Sequence, residues 1–436
     1  MTQIKKTIAG LAFAAGCVII LTGCEKDKVL SGFAKNVGVI RVTANSSNLT
    51  KAVATTKTAL ESSNGFVLDV WTNDAWYDLY SDPADRTTFG LPIETSKQEA
   101  GQYINSNGVA NVKYSDVGHT YTSNFRTGSQ TTSGWYIVDP TETDPTKYYE
   151  PYNWITGPTS DDEYKFYLRF WARYPQNSEI HGSLSVTPPA INADTETFTY
   201  TLPTASAGSD ATNQEDLLFA YTEVNQDHSR ADDAPYATGD FPVPASTTVV
   251  NLNFNHPLSM INFCVSPDDG TYDVHLKIKR ITITNVPGKG KCDFYGKGTI
   301  ALGTMFRWYD WSSYASYSQD YNAMFDVPPT GWTASSYGSA GKHIYTCQNA
   351  FMLIPHTPKY VSGGSDNAKI TIVFEDTFLH DGDVERTIEL NPGGTDVWKP
   401  GYYYTYKICA TKIGRDVTTS VYLTDWTNPS STTNIY

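Results

Sequence analysis

Apolar and polar residues alternate with a period of two along most of the chain, and the 3.6-residue period of an amphipathic helix is almost absent. Ten runs carry the strand pattern: residues 37–44, 66–72, 164–174, 197–202, 248–254, 259–265, 272–283, 370–374, 402–410 and 417–423. Val, Ile, Thr, Tyr and Phe dominate them, the residue types that fit a pleated, half-buried surface. Clusters of Gly, Pro, Asn and Asp lie between the runs and supply turns. Many short strands joined by turns predict an all-β chain built from sandwiches. Two intervals, 74–152 and 308–345, read as long loops, which in a compact domain carry function or local substructure.

Composition adds size and partners to this picture. The chain has 436 residues, 40% of them hydrophobic, which is too long for one small domain and too apolar for disorder. Two tandem domains are expected, 66–245 and 246–436, divided after the polar stretch 225–233 where Pro242 and Pro244 precede renewed strand pattern. Acidic residues number 46 against 32 basic ones, a formal charge of −14. A nucleic-acid partner is therefore excluded, since phosphate recognition needs a basic face.

The amino terminus reads as an export signal. Lys5 and Lys6 precede an apolar stretch over residues 8–21, shorter than the roughly 20 residues that span a bilayer. It ends in Leu21-Thr22-Gly23-Cys24, which resembles the bacterial lipobox, where cleavage before the Cys leaves a thiol that carries lipid. Residues 1–23 would be removed, leaving 413 residues tethered to a membrane through Cys24 and shifting the formal charge from −14 to −16 with the loss of two lysines.

Candidate chemistry is sparse. Cys264, Cys292, Cys347 and Cys409 form no CxxC pair and read as buried thiols or as one disulfide, which an exported protein permits. The glycine- and lysine-rich run 288–298 matches neither phosphate-binding fingerprint and reads as a hairpin turn. Two acidic groups, 160–163 and 381–385, lack calcium-loop spacing and read as solvated turns. His256 has no nucleophile or acid at a recognisable spacing, and neither GxSxG nor HExxH occurs. No enzyme and no cofactor are expected. Residues 306–332 hold nine aromatics, among them Trp308, Trp311 and Trp332. Such a segment packs on its own domain, docks a partner chain, or stacks on sugar rings as a glycan-binding surface lipoprotein would use it.

Six segments, taken in order, carry a resemblance. They are residues 164–175 (YKFYLRFWARYP), 214–220 (QEDLLFA), 250–259 (VNLNFNHPLS), 353–355 (LIP), 398–406 (WKPGYYYTY) and 421–426 (VYLTDW). Together with the lipobox they resemble the fimbrillin family, the type V pilin subunits of Bacteroidetes. The resemblance implies two tandem β-sandwiches with transthyretin-like Greek-key connections, and a lipoprotein route to the outer membrane and the surface fimbrium. It also implies polymerisation by donor-strand exchange, triggered by a trypsin-like protease that removes the first strand. Residues 24–65 would hold that strand and a flexible loop. The cleavage candidates are Lys51 and Lys57 in the loop and Arg41 within the strand. The donor would be the carboxy-terminal run in which Val417, Thr419, Val421 and Leu423 share one face, unless that run is simply the last strand of its own domain. Implied partners are other fimbrial subunits, the outer membrane, the maturation protease and a receptor on a host or bacterial surface.

Overall fold

The computed structural model describes residues 41–46, 65–72, 110–115, 119–123, 126–130, 134–138, 165–176, 180–187, 195–205, 211, 213–227, 249–267, 276–299, 304–324, 332–337, 342–347, 350–376, 382–391, 397–410, 417–425 and 432–435. Among them are 24 β-strands and no α-helix. In chain order these begin with β1 (Arg41–Ser46), β2 (Phe66–Thr72), β3 (Ala110–Ser115), β4 (His119–Ser123), β5 (Arg126–Gln130), β6 (Gly134–Val138), β7 (Lys165–Tyr174) and β8 (Ser183–Thr187). Next come β9 (Thr195–Thr201), β10 (Leu218–Asp227), β11 (Val249–Phe254), β12 (Ser259–Pro267), β13 (Leu276–Val286), β14 (Lys289–Thr299), β15 (Thr304–Ser312) and β16 (Ala315–Met324). The last are β17 (Trp332–Tyr337), β18 (Lys342–Cys347), β19 (Phe351–Leu353), β20 (Lys369–Asp376), β21 (Asp383–Glu389), β22 (Tyr402–Ala410), β23 (Val417–Asp425) and β24 (Thr432–Ile435).

Seven strands form a sheet in the order β10-β7-β2-β3-β6-β1-β11. The sheet curls until its two edges meet, because Phe219 and Asn255 exchange backbone hydrogen bonds of 2.9 and 2.8 Å. Its lining is apolar: Val42, Phe66, Leu68, Phe170, Leu252 and Phe254 are all buried. The Phe66 ring lies 5.2 Å from Phe254 and 5.1 Å from Trp135. Residues 66–70 are buried at every position, as required of a strand covered on both faces.

The outer face of this ring is covered by a four-stranded sheet, β15-β14-β9-β8. Aromatic side chains fill the gap. Phe198 stacks on Phe219 at 4.4 Å, Trp171 meets Phe294 edge-on at 5.3 Å, and Phe294 stacks on Phe306 at 5.0 Å. Each such pair adds about 0.5–1.5 kcal/mol beyond the area it buries. The remaining strands make a second pair of sheets, β17-β18-β12-β22-β23-β24 with β19 alongside β12, and β16-β13-β20-β21. Phe263 of the first lies 6.4 Å from Tyr321 of the second. Buried Ile278, Ile281, Ile283, Ile370 and Ile372 complete that core.

Two ribbons join these halves. β13 continues into β14 through Pro287-Gly288, and β15 continues into β16 through Ser313-Tyr314, so each ribbon changes sheet without ending. At the crossing the Gly288 N–H donates to the Ser313 carbonyl at 3.1 Å. A Cβ at Gly288 would stand 2.6 Å from that oxygen, so this close approach requires glycine. The pairing also crosses the division expected between 245 and 246. β1 pairs with β11, and β9 pairs with β14. A boundary placed by proline content marks a connection in the chain, whereas hydrogen-bonded sheets are assembled from strands remote in sequence.

Each of the ten expected runs overlaps a described strand, residues 37–40 and 272–275 lying outside the described residues, but the long loops do not hold. The interval 74–152 contains β3 to β6, and 308–345 contains most of β15, all of β16 and β17, and the first part of β18. The run 288–298 is likewise not a hairpin turn but β14, paired to β15 on one side and β9 on the other. Its glycines give room to aromatic neighbours: at Gly296 a Cβ would lie 2.6 Å from the Tyr221 ring. The acidic group 381–385 opens an edge strand, β21, where Asp383 pairs with Lys279 at 2.9 Å. The group 160–163 lies outside the described residues.

One charged group is buried between the ring and its outer sheet. Arg173 on β7 donates to Asp69 on β2 at 2.6 Å and stands 3.7 Å from Glu196 on β9. One guanidinium thus faces two carboxylates, and Asp69 holds the closer place. Burial pushes the Glu196 carboxyl up to about 7, opposed by Arg173 and reinforced by the negative Asp69.

Two outcomes are expected. Gly296→Val overpacks the Tyr221 contact and lowers unfolding free energy by about 1–3 kcal/mol in urea titration. For Glu196, the folded value lies above the ordinary 4.5, so its contribution is complete below pH 4.5 and is lost as pH rises through 7. Glu196→Gln removes this dependence. The variant therefore gains stability relative to the parent between pH 5 and 8, by up to about 3 kcal/mol, measured as the difference between the two urea titrations.

Candidate functional site

The strand that completes the ring is the first one described. β1 lies between β6 and β11, in register with β11 from Arg41 opposite Val249 to Ser46 opposite Phe254, and the two run parallel. Among the described residues its pairing with β6 is Val42 opposite Trp135. The local sequence Val42-Thr43-Ala44-Asn45 alternates as a one-sided strand should. Val42 and Ala44 point inward, at 5% and 1% exposure. Thr43 Oγ1 donates to Asn251 Oδ1 at 2.6 Å on the outer side, across 208 residues of sequence. Without β1, β11 would lose its neighbour along six positions, leaving the backbone groups of every second residue unpaired, and the apolar lining beside Phe66 and Phe254 would be uncovered.

Behind this slot, four of the six motif segments meet at the waist between the halves. Asp216 and His256 are both buried, with His256 Nδ1 2.7 Å from Asp216 Oδ1. The Met352 N–H donates to Gln214 Oε1 at 2.8 Å. The Gly401 N–H donates to the Leu258 carbonyl at 2.9 Å, and Ser259 Oγ–H donates to the Lys399 carbonyl at 2.8 Å. Trp398 binds both ways, its N–H to the His356 carbonyl at 2.9 Å and its indole to Tyr406 Oη at 3.0 Å. His356 packs edge-on against Trp398 at 5.0 Å, and burial lowers its imidazole from 6.5 to about 4, keeping the ring neutral. Its Nδ1–H donates to the Ile354 carbonyl at 2.8 Å. These groups form an anchored joint, and the His256–Asp216 pair has no hydroxyl nucleophile among the partners described for it.

The individually expected site residues are dispersed. Arg41 is the first residue of β1. Cys24, Lys51 and Lys57 lie outside the described residues. Val417, Thr419, Val421 and Leu423 sit on β23, opposite Ala410, Ile408, Tyr406 and Tyr404 of β22. β23 is not the last strand of its sheet: β24 pairs along its other side, from Val421 opposite Ile435 to Thr424 opposite Thr432.

Trp308 is not a sugar-stacking platform. It is buried, its indole N–H donates to the Pro257 carbonyl at 2.7 Å, and its ring meets Phe198 edge-on at 5.4 Å. Of the readings open for the aromatic segment, packing on its own domain describes Phe306, Trp308, Tyr317 and Tyr321, which face the core along two strands. Trp311 is 41% exposed and donates to the Pro355 carbonyl at 2.9 Å. Trp332 opens β17, and its side chain lies outside the described residues. Cys292 is a free, buried thiol whose pKa is raised well above the ordinary range by burial. The slot itself was legible in part, through the alternation at 37–44. The polar groups Asp69, Arg173 and Glu196 gave no local signal, because they come from three strands far apart in sequence.

The described chain is all-β, and its first described strand pairs in parallel with one some two hundred residues later. The chain belongs to the fimbrillin-like family, whose sequence model matches residues 120–426. Among solved structures it is similar to a fimbrial protein from Bacteroides vulgatus, with 15% identity, 88% of this chain and 99% of that one covered, and a TM-score of 0.41. It is also similar to the fimbrial anchor protein Mfa2 from Porphyromonas gingivalis, with 8% identity, 89% and 98% coverage, and a TM-score of 0.26. No curated protein matches the chain.

Proposed function

We propose that this protein is a structural subunit of a surface fimbrium, exported as a lipoprotein through Cys24 and assembled by exchange of β1 for a strand of the next subunit. The observation that carries this reading is the place of β1: parallel to β11, paired with β6 at Val42 and, among the described residues, turned inward at Val42 and Ala44. Burying a valine contributes about 1.5–3 kcal/mol and an alanine less. In this reading the donor face is Val417, Thr419, Val421 and Leu423, which β23 brings to the slot of the next subunit by leaving its place between β22 and β24. β1 ends at Ser46, so cleavage after Lys51 or Lys57 frees the strand whole, whereas cleavage after Arg41 leaves nearly all of it in place.

In this reading the partners are sister subunits, a trypsin-like protease acting after lysine, the outer membrane before cleavage, and a receptor met by the finished fimbrium. The two-unit organisation is part of the proposal, with the division at the ribbon crossings Pro287-Gly288 and Ser313-Tyr314 in place of a point near 246.

Thr43→Cys with Asn251→Cys places a thiol pair across the β1–β11 register. Oxidised, this variant should be cut by the protease yet form no SDS-resistant ladder, and reduction should restore laddering. Ladders of equal length from the oxidised protein would show that β1 is not the strand displaced.

A further inference from the structure

The sheets have several open edges, and three of them are guarded. β21 carries Asp383, Glu385, Arg386 and Glu389. β15 is bulged, since Tyr309 and Ser312 stand opposite Lys291 and Lys289, leaving Asp310 and Trp311 against one residue; Asp310 adopts a φ of 52°. β16 is likewise interrupted opposite Ile278 and Arg280. Charges and bulges are the usual protection against pairing between chains. β10 and β11 close on each other. β17 and β24 bound the remaining sheet, and their side chains lie outside the described residues.

β8 lacks the charges of β21 and the bulges opposite β15 and β16, and unlike β17 and β24 its side chains are among those described. Among the described residues it pairs only with β9, over five consecutive positions from Ser183 opposite Thr201 to Thr187 opposite Thr197, without a register shift. Its sequence, Ser183-Leu184-Ser185-Val186-Thr187, contains no charge. Ser183, Ser185 and Thr187 are exposed. Leu184 and Val186 remain half-buried at the rim of the aromatic core.

We infer that β8 pairs with β8 of a second copy of this chain, joining two four-stranded sheets into one of eight. The strand is complementary to itself. In an antiparallel pair centred on Ser185, that residue faces Ser185 of the partner subunit, Leu184 faces the partner's Val186, and Ser183 faces the partner's Thr187. Hydroxyl groups then meet on the outer face and apolar groups on the inner one, completing the burial that Leu184 and Val186 lack. No like charges oppose each other, which favours a second copy over a basic or acidic partner. This contact uses neither β1 nor its slot, so it needs no cleavage.

The uncut full chain tests it. Opposed Cβ atoms lie about 4.5–5.5 Å apart, close to disulfide reach, whereas two copies of residue 187 would be roughly 13 Å apart along the strands. Under mild oxidation Ser185→Cys should give a cross-linked dimer absent from the parent chain, which has the same native cysteines. Thr187→Cys alone should not, and a mixture of Ser183→Cys with Thr187→Cys should. In sedimentation velocity the parent should dimerise, and Ser185→Lys, placing two cations in contact, should weaken dimerisation at least tenfold. A parent that stays monomeric at about 100 μM, a Ser185→Lys variant that dimerises as well as the parent, cross-linking by Thr187→Cys alone, or cross-linking of Ser185→Cys only to an unrelated protein would each overturn the inference.

Discussion

A β-strand makes no backbone hydrogen bonds within itself, half of its groups depending on the neighbour at each side, and the architecture of this protein follows from where those neighbours come from. The seven-stranded ring closes because β1, at the start of the described chain, lies beside β11, whose partner positions are some two hundred residues later. β11 in turn meets β10 through Phe219 and Asn255. Opening the ring at β1 would expose backbone donors, acceptors and apolar lining together. Such an edge is unstable alone and receptive to another strand.

The outer layer makes this ring a rigid support. Aromatic rings from β7 and β10 interlock with those of β9, β14 and β15, leaving no space at Gly296 for a methyl group. The same sheet contributes Glu196 to the buried Arg173–Asp69 pair. Burial of a second carboxylate is tolerated because proton uptake removes its charge. His356 behaves in the opposite sense. Its imidazole, ordinarily near 6.5, is lowered to about 4, so its contribution declines as pH falls through that interval. The two groups partly offset each other in mild acid.

The waist transmits this rigidity to the second half. The ribbons β13–β14 and β15–β16 cross between sheet systems without a break, and the Asp216–His256 and Trp398–His356 contacts fasten the loops around them. The segments that resemble the family most are largely the segments that meet here. The exposed faces of the sheets lie elsewhere, including the uncharged edge at β8.

By itself the sequence determined the class of structure and its family, because period-two alternation is local and because motifs such as Asn255-His256-Pro257 and Trp398-Lys399-Pro400-Gly401 are contiguous. It located ten strands and the alternation of the strand that closes the ring. It misread the glycine-rich β14 as a turn and the aromatic β15–β16 ribbon as a loop. In both, the residue types were selected by neighbours distant in sequence: Tyr221 fills the space above Gly296, and Phe198 and Pro257 receive Trp308. Only the tertiary structure decided which strands share a sheet, that β1 is parallel to β11, that β23 lies inside its sheet, and that Asp69, Arg173 and Glu196 meet. Those outcomes depend on pairing across hundreds of residues, and strand pattern constrains the face a residue takes but not the neighbour it finds.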